Sequence, residues 1–547
     1  LTPMPPRNPD RLSPQLRSIE SEIDNAHKAN PLTTLNFATA AWNLLAFSED
    51  VFLKHQLTGE ENAIHQAAVL ADTFIAGLSY PLYWLSSNCP AGGDPSCHCD
   101  NSNYKSAWEL SDLGRNYKHF CAAFTYASRG MIDLNIEDSR LIPVCDFLEQ
   151  SEYEAYNRLI RPSLPDVPIL AIGELAELIQ LSLRVNNNGF SYNLSPKLVK
   201  AAKQVIGPEL KRRFLLPDHW QFSRYTLGDF RRVFEAITAM ALIHWYARYF
   251  AITAGCEALG YADSIFIPGR DELLNRTANY SGVEATIVAN ILCHLTYGSE
   301  PGPMPDPALQ PLISLNPDVL AIMPNLWLNN SAERNLTVLL NRLPQERPIY
   351  SSLVDEKEAL MRSRFEASLA LDALRLVKGE ISGASNLPDI DLAIIEDASK
   401  TCLLFELKWF IEPAEVREVI EKTEELEKGV RQLLTLKRAF EENHLQFLDK
   451  LQIDSTYALY LVLASENWIG HSNVQNPMVS IIKSSHVLEK LKTTKDLRET
   501  GEWLRKRQYL PTRAIHYEAM ETEFTIKNWT LNWYGIKPLL TDIFFPA

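Results

Sequence analysis

No stretch of this chain reaches the roughly 18 uninterrupted apolar residues that a membrane-spanning helix requires. The nearest, from about Ala236 to Ala254, is interrupted by His244 and Arg248, so no membrane partner is expected. The first residues, LTPMPPRNPDRLSPQ, also lack the apolar centre of a secretory signal, and Leu1 reads as the head of a trimmed chain or a fragment. A cytoplasmic location is the expectation.

Positive charge is scarce as well: 53 Lys and Arg stand against 68 Asp and Glu, a net charge of −15. Dividing the chain at 345/346 gives 27 basic and 36 acidic residues before (27 − 36 = −9) and 26 and 32 after (26 − 32 = −6). Neither part carries a basic footprint. Loose, sequence-independent nucleic-acid binding is therefore disfavoured, and any such contact is confined to a local patch. Phosphate-cradling glycine loops, His-x-x-x-His pairs and nucleophile elbows are missing from the first 300 residues, so nothing there marks a nucleotide hydrolase, a zinc protease or a serine esterase.

Cysteine is sparse, eight in 547 residues, and clustered only once. Cys89, Cys97 and Cys99 lie in SSNCPAGGDPSCHCDNSNY, with His98 inside the cluster and His119 and Cys121 about twenty residues on. A structural Zn²⁺ would use four such ligands held by tight turns. The spacing is not a standard one, and a disulfide or ordinary reduced thiols remain alternatives.

What is present divides the chain. Through residue 300, TTLNFATAAWNLLAFSEDVFLKHQL and FRRVFEAITAMALIHWYARYFAITAGCEAL carry apolar residues at helical spacing. SGVEATIVANILCHL opens with a capping box, Ser281 and Glu284. Residues 301–350 begin with five prolines between Pro301 and Pro311 and read as a connector followed by short strands or helices. From residue 351 to 547 the pattern is a helix continuing past Leu376 to a break at Gly379, two short apolar runs (Asp389 to Ile395 and Thr401 to Phe410), a long amphipathic helix, and a buried strand at 455–465. The expected architecture is α+β overall: a helical module, then an α/β domain with a mixed central sheet.

The chemistry concentrates in LPDIDLAIIEDASKTCLLFELKWF, residues 387–410. Charges in buried strands cost several kcal/mol unless paired, hydrated or metal-bound. Glu406 and Lys408, two apart, project from one face of a strand, and a hairpin would bring Asp391 beside Glu406. Two carboxylates suit Mg²⁺, which prefers hard oxygens and keeps several waters, and a nearby ammonium steadies charge on a phosphate. A lysine there could also serve as a base if its pKa were depressed. The triplet alone is weak, since Glu209-Leu210-Lys211 and Asp355-Glu356-Lys357 also match. The plain alternative is an exposed strand pair worth about 0–1 kcal/mol.

These residues resemble the PD-(D/E)XK nuclease superfamily, through Pro388-Asp389, the IDLAII strand with Asp391, and FELKW with Glu406 and Lys408. The resemblance spans about Val354 to Ser465. It implies an αβββαβ restriction-endonuclease-like core, dependence on Mg²⁺ or Mn²⁺, and cleavage of nucleic acid, DNA ahead of RNA. It makes Asp391, Glu406 and Lys408 catalytic, with Asp391 and Glu406 as metal ligands. It adds a further metal-binding acid from the preceding helix, where Glu366 fits by spacing, and a glutamine in the following helix, where Gln432 fits. Asp389 completes the literal motif, but Asp391 directly precedes the strand and is preferred. Glu366 could equally be an ordinary solvated helix residue, and for Gln432 that ordinary reading is the better one. The expected function is a DNA endonuclease of restriction or anti-phage defence, with the helical module recognising or regulating. A homodimer or a partner protein bound through that module is expected. An inactive nuclease-fold scaffold and an RNA-directed nuclease are the alternatives.

Overall fold

The computed structural model describes residues 12–57, 77–160, 169–186, 189–254, 260–299, 305–353, 355–369, 373–384, 386–410, 413, 416–494 and 496–539. Over these the chain is α+β, mainly helical at first and then built on a mixed five-stranded sheet. Among the described residues no helix is long and apolar enough to cross a membrane.

The first part contains α1 (Pro14–Asp24), α2 (Phe37–Leu57), α3 (Asn101–Arg129), the hairpin β1 (Asp133–Glu137) and β2 (Arg140–Val144), α4 (Phe147–Leu159) and α5 (Ile169–Ser182). A small hairpin, β3 (Arg184–Asn186) and β4 (Gly189–Ser191), precedes α6 (Pro196–Arg213), α7 (Leu227–Thr253), α8 (Arg270–Ser281) and α9 (Ala285–Leu295). Helix α7 is apolar on most sides. Phe230, Phe234, Ile237, Met240 and Ile243 are all buried, as befits a helix at the centre of a bundle. Its start is fixed by a reciprocal box between Thr226 and Asp229.

The box expected at Ser281 and Glu284 does not form. Ser281 ends α8, Gly282 follows in the left-handed region (φ 68°), and Glu284 is itself the N-cap of α9. A glycine that terminates one helix has split the motif between two.

The stretch expected to connect the two parts is packed over most of its length. It forms β5 (Leu312–Asn316), β6 (Val319–Ile322), α10 (Pro324–Leu328), α11 (Ala332–Arg342) and α12 (Arg347–Leu353). Leu312, Ile322, Trp327 and Leu336 join the core around α7, while Ile313, Leu315 and Met323 join the one around α2. Pro301 and Pro303 lie outside the described residues.

The later part runs α13 (Asp355–Ser368), β7 (Arg375–Gly379), β8 (Ile390–Glu396), β9 (Thr401–Lys408), α14 (Val416–Glu441), α15 (Leu445–Leu451), β10 (Ala458–Ser465), β11 (Val479–Lys483), α16 (Ser484–Thr493) and α17 (Leu497–Arg505). Apart from the short α15, α13 to β10 follow the order αβββαβ. The sheet order is β11-β10-β9-β8-β7. Strands β7, β8 and β9 pair antiparallel, and β9, β10 and β11 pair parallel. Strand β9 is central and buried from Thr401 to Leu407, which is why most of it reads as an apolar run. The β8–β9 turn is held by Arg375, whose Nε and Nη2 each donate to Asp397 at 2.8 Å. One correction concerns the helix expected to continue past Leu376. It stops at Ser368, and Leu376 lies in edge strand β7.

The chain crosses between its parts twice. Tyr153 and Tyr156 of α4 are buried in the core of the later sheet, and the Tyr156 hydroxyl lies 2.9 Å from His486 Nδ1. In return β12 (Tyr517–Ile526) and β13 (Trp529–Pro538) complete the early sheet, β13 pairing with β2 through Leu531 and Leu141. A cut into residues 1–300 and 351–547 therefore divides both cores.

Candidate active site

The register of the hairpin builds the site. Leu392 pairs with Phe405, so one step further places Asp391 opposite Glu406 at the open end of the two strands. Asp391 Oδ2 accepts a 2.8 Å hydrogen bond from the Leu407 amide, which holds its carboxyl against β9. Glu406 Oε1 lies 2.8 Å from Lys408 Nζ, as their shared strand face requires. The Lys408 backbone is fixed in turn by its carbonyl, which accepts from the Glu466 amide at 3.1 Å. Asp391, Glu406 and Lys408 are thus brought together as expected.

Helix α14 closes over them with a glycine. A Cβ at Gly429 would come 2.9 Å from Leu463 Cδ1 and 3.1 Å from Glu406 Cγ, so the bare backbone lets the helix approach the acid. Three residues on, Gln432 buries its Oε1 without a hydrogen-bond partner among the described residues.

The helix acid differs from the expected one. Glu366 accepts from Lys378 Nζ of β7 at 2.6 Å, an exposed pair that does not reach Lys408. Glu358, two turns earlier on α13, lies 3.9 Å from Lys408 Nζ. Eight residues of helix separate these acids by about 12 Å. Sequence spacing admits both, and only the angle at which α13 crosses the sheet chooses Glu358. Asp389 stands close enough to raise the Asp391 pKa through its charge, but Asp391 is the residue tied to β9.

The electrostatics are those of an overfilled acidic site. Burial, then the Asp391 charge, pushes the Glu406 carboxyl up to about 7, against the pull of Lys408. Asp391 is also raised, chiefly by burial, although the Leu407 amide and Lys408 oppose the shift. Burial pulls Lys408 down, but Glu406, Glu358 and Asp391 together outweigh it and its pKa rises. The lysine is therefore an ammonium in this arrangement, not the pKa-depressed base considered from sequence.

Two buried carboxyls that oppose each other's ionisation fit a divalent cation, which would relieve that repulsion. Mg²⁺ asks for only one or two carboxylates and keeps the rest of its shell as water and substrate oxygens. Among the described residues no three His, Cys, Asp or Glu side chains form a group able to hold a metal ion, and the pair Asp391 and Glu406 is within the smaller requirement. At the other candidate metal site, Cys89 and Cys97 pack on the α2 core and Cys99 is exposed. His119 stacks on Phe524, and Cys121 lines a cavity with Tyr117 and Asp24. No disulfide joins two of the seven described cysteines.

Comparison with protein families, with curated proteins and with solved structures finds no match for this chain. Its chemistry rests on the geometry above.

Proposed function

We propose that this protein is a metal-dependent nuclease that hydrolyses phosphodiester bonds, with DNA as substrate and Mg²⁺ or Mn²⁺ as cofactor. The observation that carries this reading is the meeting of Asp391, Glu406 and Lys408 at the open end of β8 and β9, inside an αβββαβ core. Asp391 and Glu406 would hold the ion. When bound, it supplies Lewis acidity at the phosphate and favours ionisation of the attacking water.

The remaining work falls to the chain. Lys408 aligns the water and offsets charge gathering on the phosphate oxygens. The water oxygen bonds to phosphorus as the bond to one sugar oxygen breaks. One proton of that water leaves to solvent on attack, and the departing sugar oxygen takes a proton from solvent. Helix α14, bare at Gly429, keeps Glu406 in place beside the ammonium.

The acidic surface makes a specific partner surface more suitable than general affinity for DNA, and we assign recognition or regulation to the helical part. Two copies would be needed for a double-strand cut by single sites, so the proposal includes a homodimer. Restriction of foreign DNA is proposed as the setting by analogy with the fold type.

The test is incubation of plasmid and single-stranded DNA with Mg²⁺ or Mn²⁺, comparing the wild type with Lys408→Ala and Glu406→Gln. Cleavage lost in both variants supports the assignment. Cleavage retained in both removes it, and silence of every sample favours a non-cutting scaffold. Parallel RNA substrates decide between the two nucleic acids.

A further inference from the structure

Helix α13 presents two acids to the sheet. Glu358 lies 3.9 Å from Lys408 Nζ on β9, and Glu366 is bonded at 2.6 Å to Lys378 on β7. Strand β8 lies between these two in the sheet, and its site residue is Asp391. Arg362 is the α13 residue one turn from each acid, about 6 Å along the axis from either. The i, i+4 spacing puts it on the side of α13 that carries both acids, next to the site that Glu358 reaches. Its charge is felt there, as one of the influences that draw the Asp391 carboxyl back down.

The neighbouring basic residues are engaged elsewhere. Lys408 is bonded to Glu406, Lys378 to Glu366, and Arg364 to Glu466 at 2.6 Å while covering the Trp409 ring. Lys357 points into the helical part, bonding the Tyr350 hydroxyl. Half-buried Arg362 makes no hydrogen bond or ion pair with a described residue. A guanidinium offers a planar fork of donors suited to two oxygens of one phosphate.

We infer that Arg362 is a substrate-binding residue of this site, gripping the non-bridging oxygens of the scissile DNA phosphodiester from the α13 side, opposite the side covered by α14. This rests on the nuclease reading and names the group that brings an anionic substrate to an acidic centre. The alternative role is purely internal, with Arg362 screening Asp391. The two differ in what they do to the metal. Removing a screen leaves the acids more negative and improves cation binding, with little change in cleavage once the ion is saturating. Removing a phosphate ligand weakens DNA binding and slows cleavage at any ion concentration.

The experiment measures three quantities on wild type, Arg362→Ala, Arg362→Lys and Lys408→Ala: DNA affinity by fluorescence anisotropy of a short labelled duplex in Ca²⁺, cleavage rate at saturating Mg²⁺, and melting temperature. We expect Arg362→Ala to melt with the wild type, to bind the duplex about tenfold more weakly and to cleave about 10²- to 10³-fold more slowly. Arg362→Lys should regain part of the affinity and less of the rate, since it keeps the charge without the fork. If Lys408→Ala is inactive while Arg362→Ala binds and cleaves like the wild type, the role of Arg362 is refuted and the nuclease reading stands. If Lys408→Ala cleaves like the wild type, the nuclease reading fails. The duplex-binding comparison then still decides Arg362, weaker binding by Arg362→Ala supporting the phosphate contact and equal binding overturning it.

Discussion

The protonation of Glu406 gives a sharp prediction. The residue is 2% exposed, and burial together with Asp391 moves its pKa up to about 7. In the unfolded chain a glutamate titrates near ~4.3. Between these values the folded state keeps a proton that the unfolded state has lost, so stability falls as pH rises through the window. At about 1.4 kcal/mol per unit, the shift removes about 3 kcal/mol between pH of about 5 and about 8. An unfolding entropy of about 2.1 cal/mol/K per residue, taken over 547 residues, converts this to a melting temperature about 3 °C lower. Glu406→Gln carries no such charge. Calorimetric melts in EDTA should therefore show the variant gaining on the wild type by about 3 °C from the acidic to the basic end of that range. Comparing variant with wild type cancels titrations remote from the site, including those of His244 and His471, whose pKa values are both lowered to about 4 chiefly by burial. Saturating Mg²⁺ should reverse the trend by stabilising only the wild type. A difference between the two proteins that is constant across pH would refute a buried carboxyl opposed by Asp391.

Further outcomes follow from particular contacts. Gly429→Ala gains about 1 kcal/mol of helix propensity but sets a methyl against Glu406 Cγ and Leu463 Cδ1, so its melting temperature should hold while cleavage falls about 100-fold. Glu358→Gln should alter the Mg²⁺ concentration needed for half-maximal cleavage, whereas Glu366→Ala should leave it unchanged and cost at most about 1 kcal/mol in a denaturant titration. Asp50→Ala leaves Arg248 buried without its 2.6 Å partner and should cost about 3–5 kcal/mol by the same titration, with site chemistry unaffected.

The hairpin that carries the site was legible because its signals are local. An aspartate before an apolar run, a polar turn, and Glu406 two positions from Lys408 already specify which side chains share a face. Strand β7 was hidden because Leu376 continues the helical spacing of Met361, Phe365 and Leu369, and spacing alone cannot separate a short apolar strand from more helix. Glu358 was missed in favour of Glu366 for a related reason. Both stand on the side of α13 that faces the sheet, and the crossing angle that brings one to Lys408 is a tertiary property. The crossed packing, with Tyr156 under the later sheet and Leu531 beside Leu141, depends on contacts hundreds of residues apart, which no local pattern announces.

The claim beneath all of this is that Asp391 and Glu406 share one divalent ion beside Lys408. Titrating Mn²⁺ into the metal-free protein and counting bound ions by electron paramagnetic resonance tests it most directly. The account predicts one site in the wild type, retained in Lys408→Ala and lost in both Asp391→Asn and Glu406→Gln. Undiminished Mn²⁺ binding in the two carboxylate variants would contradict it.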